Sequence, residues 1–128
     1  MSILHEIKEE IAPFDAQLVA VSKTKPEEQI MDLYREGQRI FGENRVQELV
    51  QKEAALPKDI EWHMIGHLQS NKVKYIAPFI QLIHSVDSLK LLKEINKQGQ
   101  KNNRIIPCLL EFKIGSEEAK AGLSREDG

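Results

Sequence analysis

The sequence predicts an α/β fold, a parallel sheet covered by helices. Three observations predict it. Short apolar stretches of strand length alternate strictly with longer stretches of helical period. The order is one helix, four β-α units and a fifth strand, within 128 residues. Polar, reactive or glycine residues follow every strand, while the opposite ends carry only turn-like stretches such as "EGQ" (36–38) and "PKD" (57–59). The length fits a single domain, 1–128.

Each element has its own reason. In 2–12, Ile3, Leu4, Ile7 and Ile11 are spaced for one helical face. Residues 17–22 read as a buried strand. Pro26 suits a helix first turn, and Glu27 and Glu28 favour its positive start. Ile30, Leu33 and Tyr34 mark that helix's inner face, and Gly37 its stop. "RIFG" (39–42) is the second strand. Residues 44–56 form a helix with Val46, Leu49, Val50 and Leu56 inward, Asn44 as N-cap and Pro57 beyond its end. "EWHMIG" (61–66) is the third strand, 69–77 a short helix and "IQLIHS" (80–85) the fourth strand. Residues 87–100 form a helix opened by Asp87 or Ser88, with Leu89, Leu92 and Ile95 inward. "RIIPCLLEF" (104–112) is the fifth strand. Two architectures satisfy this order, a doubly wound open sheet and a (β/α) barrel. Both place function at the carboxyl ends of the strands.

Composition narrows the function classes. Hydrophobic residues make up 41% and charged residues 30%, ordinary for a soluble globular chain. A net charge of −2 gives no nucleic-acid footprint. No apolar run approaches the ~18–20 residues of a membrane span. The acidic, amphipathic start is unlike a signal peptide. The single cysteine, Cys108, forms no internal disulfide, which fits a reducing cytoplasm; inside an apolar strand it reads as an inert core residue. There is no Walker loop, no G-x-G-x-x-G and no zinc-type cysteine pair.

The strand ends hold the candidate chemistry. "LVAVSKTKP" (18–26) runs a buried strand into Lys23 and Lys25. The plain reading is a strand that surfaces into solvent. The chemical reading is an amine desolvated at the strand end, its pKa lowered so that it attacks an aldehyde. Lys25 reads as a solvated surface lysine. Asn44, in "FGENRVQE" (41–48), caps a helix or presents its amide to a ligand; Arg45, Gln47 and Glu48 read as a solvated helix face. His63 and His67 have H-x-x-x-H spacing, but Gly66 interrupts and the segment is a strand, so zinc is rejected. His63 is a structural histidine or a ligand contact, and Gly66 a turn or a close backbone approach. Ser85 ends the fourth strand ahead of a helix cap.

Together "AVSKTKP", "FGENRVQE", "WHMIGHLQSNK", "HSVDS" and "LLEFKIGSEEAKAGL" occur in an order and spacing that resembles the pyridoxal phosphate homeostasis protein family, from about Leu18 to Leu123. The resemblance implies a TIM-type parallel (β/α) barrel like the barrel domain of alanine racemase, and pyridoxal 5′-phosphate held as a Schiff base on Lys23. It places Asn44 near the cofactor and makes His63 and Gly66 its neighbours; the strand-end reading adds Ser85. It implies a role in vitamin B6 and amino-acid homeostasis without established turnover, with pyridoxal-dependent apo-enzymes as recipients. The chain departs from the family at Glu111, Phe112 and Lys113, where Gln-Val-Asn is common. It also ends after the fifth strand of an expected eight, so the phosphate-gripping loops after strands seven and eight fall outside it and an incomplete barrel is expected. Open strand edges are expected to drive self-association. The rival readings are a racemase-like enzyme, a non-catalytic interaction domain and, below these, a cofactor-free lysine aldolase. A racemase needs a second proton-transfer group, for which Tyr34 and Tyr75, both in helices, are poor substitutes.

Overall fold

A computed structural model of the chain describes residues 3–111. Its strands are β1 (Ala20–Val21), β2 (Ile40–Glu43), β3 (Glu61–Met64), β4 (Leu82–Val86) and β5 (Cys108–Leu110). They form one sheet in the order β1-β2-β3-β4-β5, and every pair is parallel. The helices are α1 (Ile3–Ile11), α2 (Glu27–Arg35), α3 (Val46–Ala55), α4 (Val73–Ile76), entered through a 3-10 turn at Ser70–Lys72, and α5 (Leu89–Lys101). Sequential parallel pairing, with a helix in each crossover, is the wall of a (β/α) barrel; a doubly wound sheet would reverse its strand order.

The sheet has two unlike faces. Phe41, Trp62, Met64 and Ile83 pack against Ile30, Leu49, Ile76, Leu91 and Ile95 from the helices. Phe41 and Trp62 meet with ring centroids 6.0 Å apart. The alternate residues occupy the opposite face, because side chains along a strand alternate. There Gly42 lies so close to Val19 and Ile65 that a Cβ on it would come within 3.2 Å of both side chains.

Several boundaries differ from the sequence reading. Asn44 does not cap α3; Arg45 holds that position in extended conformation, and no side chain caps the helix. Ser88, not Asp87, caps α5, its Oγ accepting from Leu91 N at 3.2 Å. The expected apolar face of α1 is mostly uncovered: Leu4 alone is buried, and Ile3 is 73% exposed. Glu43, read as a loop residue after the second strand, is the last residue of β2 and is fully buried. Cys108 is half-buried rather than in the core, with its thiol pushed up by burial, which keeps it unreactive.

Candidate functional site

At the carboxyl end of β1 the chain turns sharply. Lys25 N donates to Ser22 O at 3.0 Å, closing a turn with Lys23 and Thr24 at its centre. Thr24 has φ +61°, in the left-handed region. That conformation is strained for a β-branched residue. Thr24 Oγ1 donates to the Lys23 carbonyl at 2.5 Å.

A buried ion network braces this turn. Lys52 rises from α3 and is buried, because it falls on the stripe that Leu49 and Leu56 also occupy. Its ammonium has three donors and uses all three: Ser22 O at 2.8 Å, Glu43 Oε2 at 2.8 Å and Glu48 Oε2 at 2.7 Å. Ser22 Oγ donates to the same Glu43 oxygen at 2.5 Å, and Ser22 N to Gly42 O at 3.0 Å. Glu48 Oε2 also accepts from Thr24 N at 2.8 Å. The hydrogen bond from Lys52 is the main force holding the Glu48 carboxyl below its ordinary pKa. Ser22 and Thr24 are therefore both tied down, and Lys23 lies between them.

Lys23 itself is exposed. The expectation of an amine desolvated at the strand end is thus not met in this chain. The physical reason is that β1 is two residues long and, among the described residues, has a partner on one side only, β2. Among the described residues no hydrogen bond or ion pair joins the Lys23 amine to Asn44 or His63. Lys25 is exposed, as read.

The neighbouring strand ends are drawn together. His63, buried on β3, faces His84 on β4, with Nδ1 3.1 Å from Nε2 and ring centroids 5.2 Å apart. Burial, and then the neighbouring imidazole, lower the His63 pKa from 6.5 to about 4, so the ring is neutral at pH 7. His63 is therefore paired with His84, not with His67, which is exposed. A Cβ on Gly66 would stand 2.8 Å from Asn44 O and 3.0 Å from Asn44 Cα and Oδ1. Glycine at 66 is what lets the loop after β3 pack against Asn44. Ser85 Oγ reaches Ile65 O at 3.5 Å, a long contact. A cleft of about 610 Å³ opens beside Asn44, lined by Arg45, His67, Gln69, Lys72 and Tyr75 among others.

Thus Asn44 and Gly66 touch, Ser85 reaches the residue before Gly66, His63 meets His84, and Lys23 stands in the adjoining turn. Sequence reasoning missed Glu43, Lys52 and His84, and read Glu48 as merely solvated. The 49/52/56 spacing was the signal for Lys52: a lysine on an apolar stripe needs a buried partner.

The comparisons with known proteins bear on this geometry. Residues 4–127 match the family model for the alanine racemase N-terminal domain. The chain belongs to that family. Its relatives include proteins named pyridoxal phosphate homeostasis protein, one from Aquifex aeolicus, 47% identical over 113 residues, and one from Homo sapiens, 40% identical over 117 residues. The first alignment covers 88% of this chain and 50% of the relative, the second 84% and 42%. The chain therefore spans about half the length of the curated relatives it matches. PipY of Synechococcus elongatus, solved with pyridoxal phosphate bound, is 38% identical, with a TM-score of 0.81 covering 97% of this chain and 57% of PipY. Its structure without the cofactor gives 0.82. The fold is thus the TIM-barrel-like fold of the alanine racemase N-terminal domain, here a partial barrel with five parallel strands among the described residues.

Proposed function

We propose that this chain is the amino-terminal portion of a (β/α)8-barrel protein that binds pyridoxal 5′-phosphate, attached through Lys23, and serves intracellular vitamin B6 and amino-acid homeostasis. The observation that carries the reading is the close match to PipY, a protein solved with that cofactor bound. The strand ends support it: an exposed amine leaves a braced turn at the end of β1, and Asn44, His63, Gly66 and Ser85 lie at or just after the ends of the next three strands of the same sheet.

These residues fit the aldehyde end of the cofactor. When bound, the cofactor supplies an electrophilic aldehyde on an electron-withdrawing ring. Lys23 would hold that aldehyde carbon through its Nζ, with one water released. Asn44 offers an amide that can donate and accept. His63, neutral, offers one donor or one acceptor without adding charge. Gly66 keeps Asn44 in place. The phosphate grip of such barrels comes from the loops after strands seven and eight, beyond the five strands described.

The proposed role is cofactor holding and delivery to pyridoxal-dependent apo-enzymes in the cytoplasm. Racemisation is the lesser reading. Tyr34 donates to Asp59 at 2.6 Å, Tyr75 lines the cleft beside Asn44, and among the described residues no hydrogen bond joins either tyrosine to the Lys23 turn. Among the described residues no helix is long and apolar enough to cross a membrane. The open edges of β1 and β5 are proposed to pair with a second copy.

Equilibrium dialysis with pyridoxal phosphate tests the reading. The chain should retain the cofactor, and Lys23→Ala should lose at least tenfold in affinity. Equal retention by both would overturn the assignment of Lys23.

A further inference from the structure

The turn that carries Lys23 holds an unfavourable conformation, and something must keep it there. Thr24 sits at φ +61° with a branched Cβ, where threonine is rarely found. Left alone, the turn would relax to an ordinary φ and re-aim the residue before it. Three contacts oppose this. Glu48 accepts from Thr24 N, Lys52 donates to Ser22 O, and Glu43 accepts from Ser22 Oγ. The first two are charge-assisted bonds to the backbone, and so is the third to a side chain; such bonds are about twice as strong as neutral ones. The anchors are rigid, for Glu43 ends a central strand and Lys52 is clamped at all three donors.

We propose that Lys52, with Glu43 and Glu48, is the positioning residue for the Lys23 amine: the network clamps the backbone on both sides of Lys23 and fixes where its side chain leaves the turn. None of the three touches the cofactor in this account. The proposal rests on the reading of Lys23 as the attachment point, but its mechanical half stands apart from that reading. A network serving only stability has no need to bond both flanks of one exposed lysine. Glu43 takes one of the three Lys52 donors, and the other two run to Ser22 and to the carboxylate that holds Thr24, so satisfying the buried ammonium also ties both flanks of Lys23.

Two measurements on the full chain separate the parts. The first is amide hydrogen exchange at Thr24 in the unsubstituted chain, in Glu48→Ala and in Glu48→Gln, the last keeping an acceptor for the Thr24 amide. Protection of the Thr24 amide should fall about tenfold in Glu48→Ala, the loss expected for one bond to a charged acceptor, and largely return in Glu48→Gln. The second is the partition of pyridoxal phosphate between Lys23 and its exposed neighbour Lys25, fixed by borohydride and read by peptide mapping. Glu48→Ala should shift that ratio away from Lys23 by about tenfold, and Lys52→Met should shift it further. Unchanged Thr24 protection in Glu48→Ala would overturn the clamp. Lost protection with an unchanged Lys23-to-Lys25 ratio would overturn the positioning role while leaving Lys23 as the attachment point. An unsubstituted chain with no preference for Lys23 would overturn the attachment reading and, with it, the positioning role; the exchange result would still decide the clamp. Glu48 is at the edge of the network, so Glu48→Ala leaves the buried pair intact and keeps the test valid if Lys52→Met fails to fold.

Discussion

Lys52 and Glu43 form the residue pair with the largest energetic consequence. Their side chains are 6% and 0% exposed, and among the described residues Glu43 Oε1 has no hydrogen-bond partner. Removing Lys52 leaves a buried carboxylate without its cation. Lys52→Met should cost about 3–5 kcal/mol in chemical denaturation, and adding Glu43→Gln should recover part of that. If the single variant costs less than about 1 kcal/mol, the pair is not the brace described here. His63 gives a pH signature. Its folded pKa, about 4, lies below the ordinary 6.5, so the unfolded chain binds more protons between those values. The stabilisation is fully present above pH 6.5 and is lost as pH falls toward 4. The ring resonances of His63 should stay those of a neutral imidazole at pH 5.5, and His63→Asn should flatten the stability profile between pH 6.5 and 4; titration near 6.5 would contradict the buried pairing with His84. At this scale the sequence showed which residues end strands, since strand period places Lys23, Asn44 and His63 directly. It obscured Lys52, whose chain neighbours Gln51 and Glu53 are polar, so that only the 49/52/56 spacing marks it as buried. It hid the left-handed Thr24 too, because threonine carries no signal for that conformation.

At the scale of elements, the loop after β3 and the loop after β2 are coupled through Gly66. A methyl there would meet the Asn44 backbone, which cannot swing aside as a flexible side chain can. Gly66→Ala should destabilise the fold by about 1–3 kcal/mol and shift the Asn44 amide resonances; unchanged Asn44 resonances would show that the loops are independent. The strands and helices were legible in order and type because each crossover carries a full helical stripe. Their ends were less so. β1 shrinks from an expected six residues to two: Ser22 N still reaches Gly42 O, but the chain then turns, Lys25 N donating to Ser22 O. The α3 start moves past Asn44 because that residue packs on Gly66 and is not free to cap.

For the whole molecule, five parallel strands leave two open edges among the described residues, β1 and β5. The flanking apolar side chains are uncovered: Val21 is 54% exposed, Leu109 and Leu110 51%, and Ile105 94%. The chain should self-associate with rising concentration in sedimentation, and Ile105→Lys with Leu109→Lys should weaken that association. A monodisperse monomer at all concentrations would contradict it. The parallel sheet was readable from the alternating pattern, and the barrel-like wall only from the ordered motifs and the family they resemble. Open and closed sheets share that pattern, and only the sequential strand order and the family separate them. Pyridoxal phosphate added to the chain, reduced with borohydride and mapped by peptide mass, decides whether one amine on that wall is the attachment point: modification should concentrate on Lys23, and modification spread evenly over the exposed lysines, or absent from Lys23, would overturn the assignment.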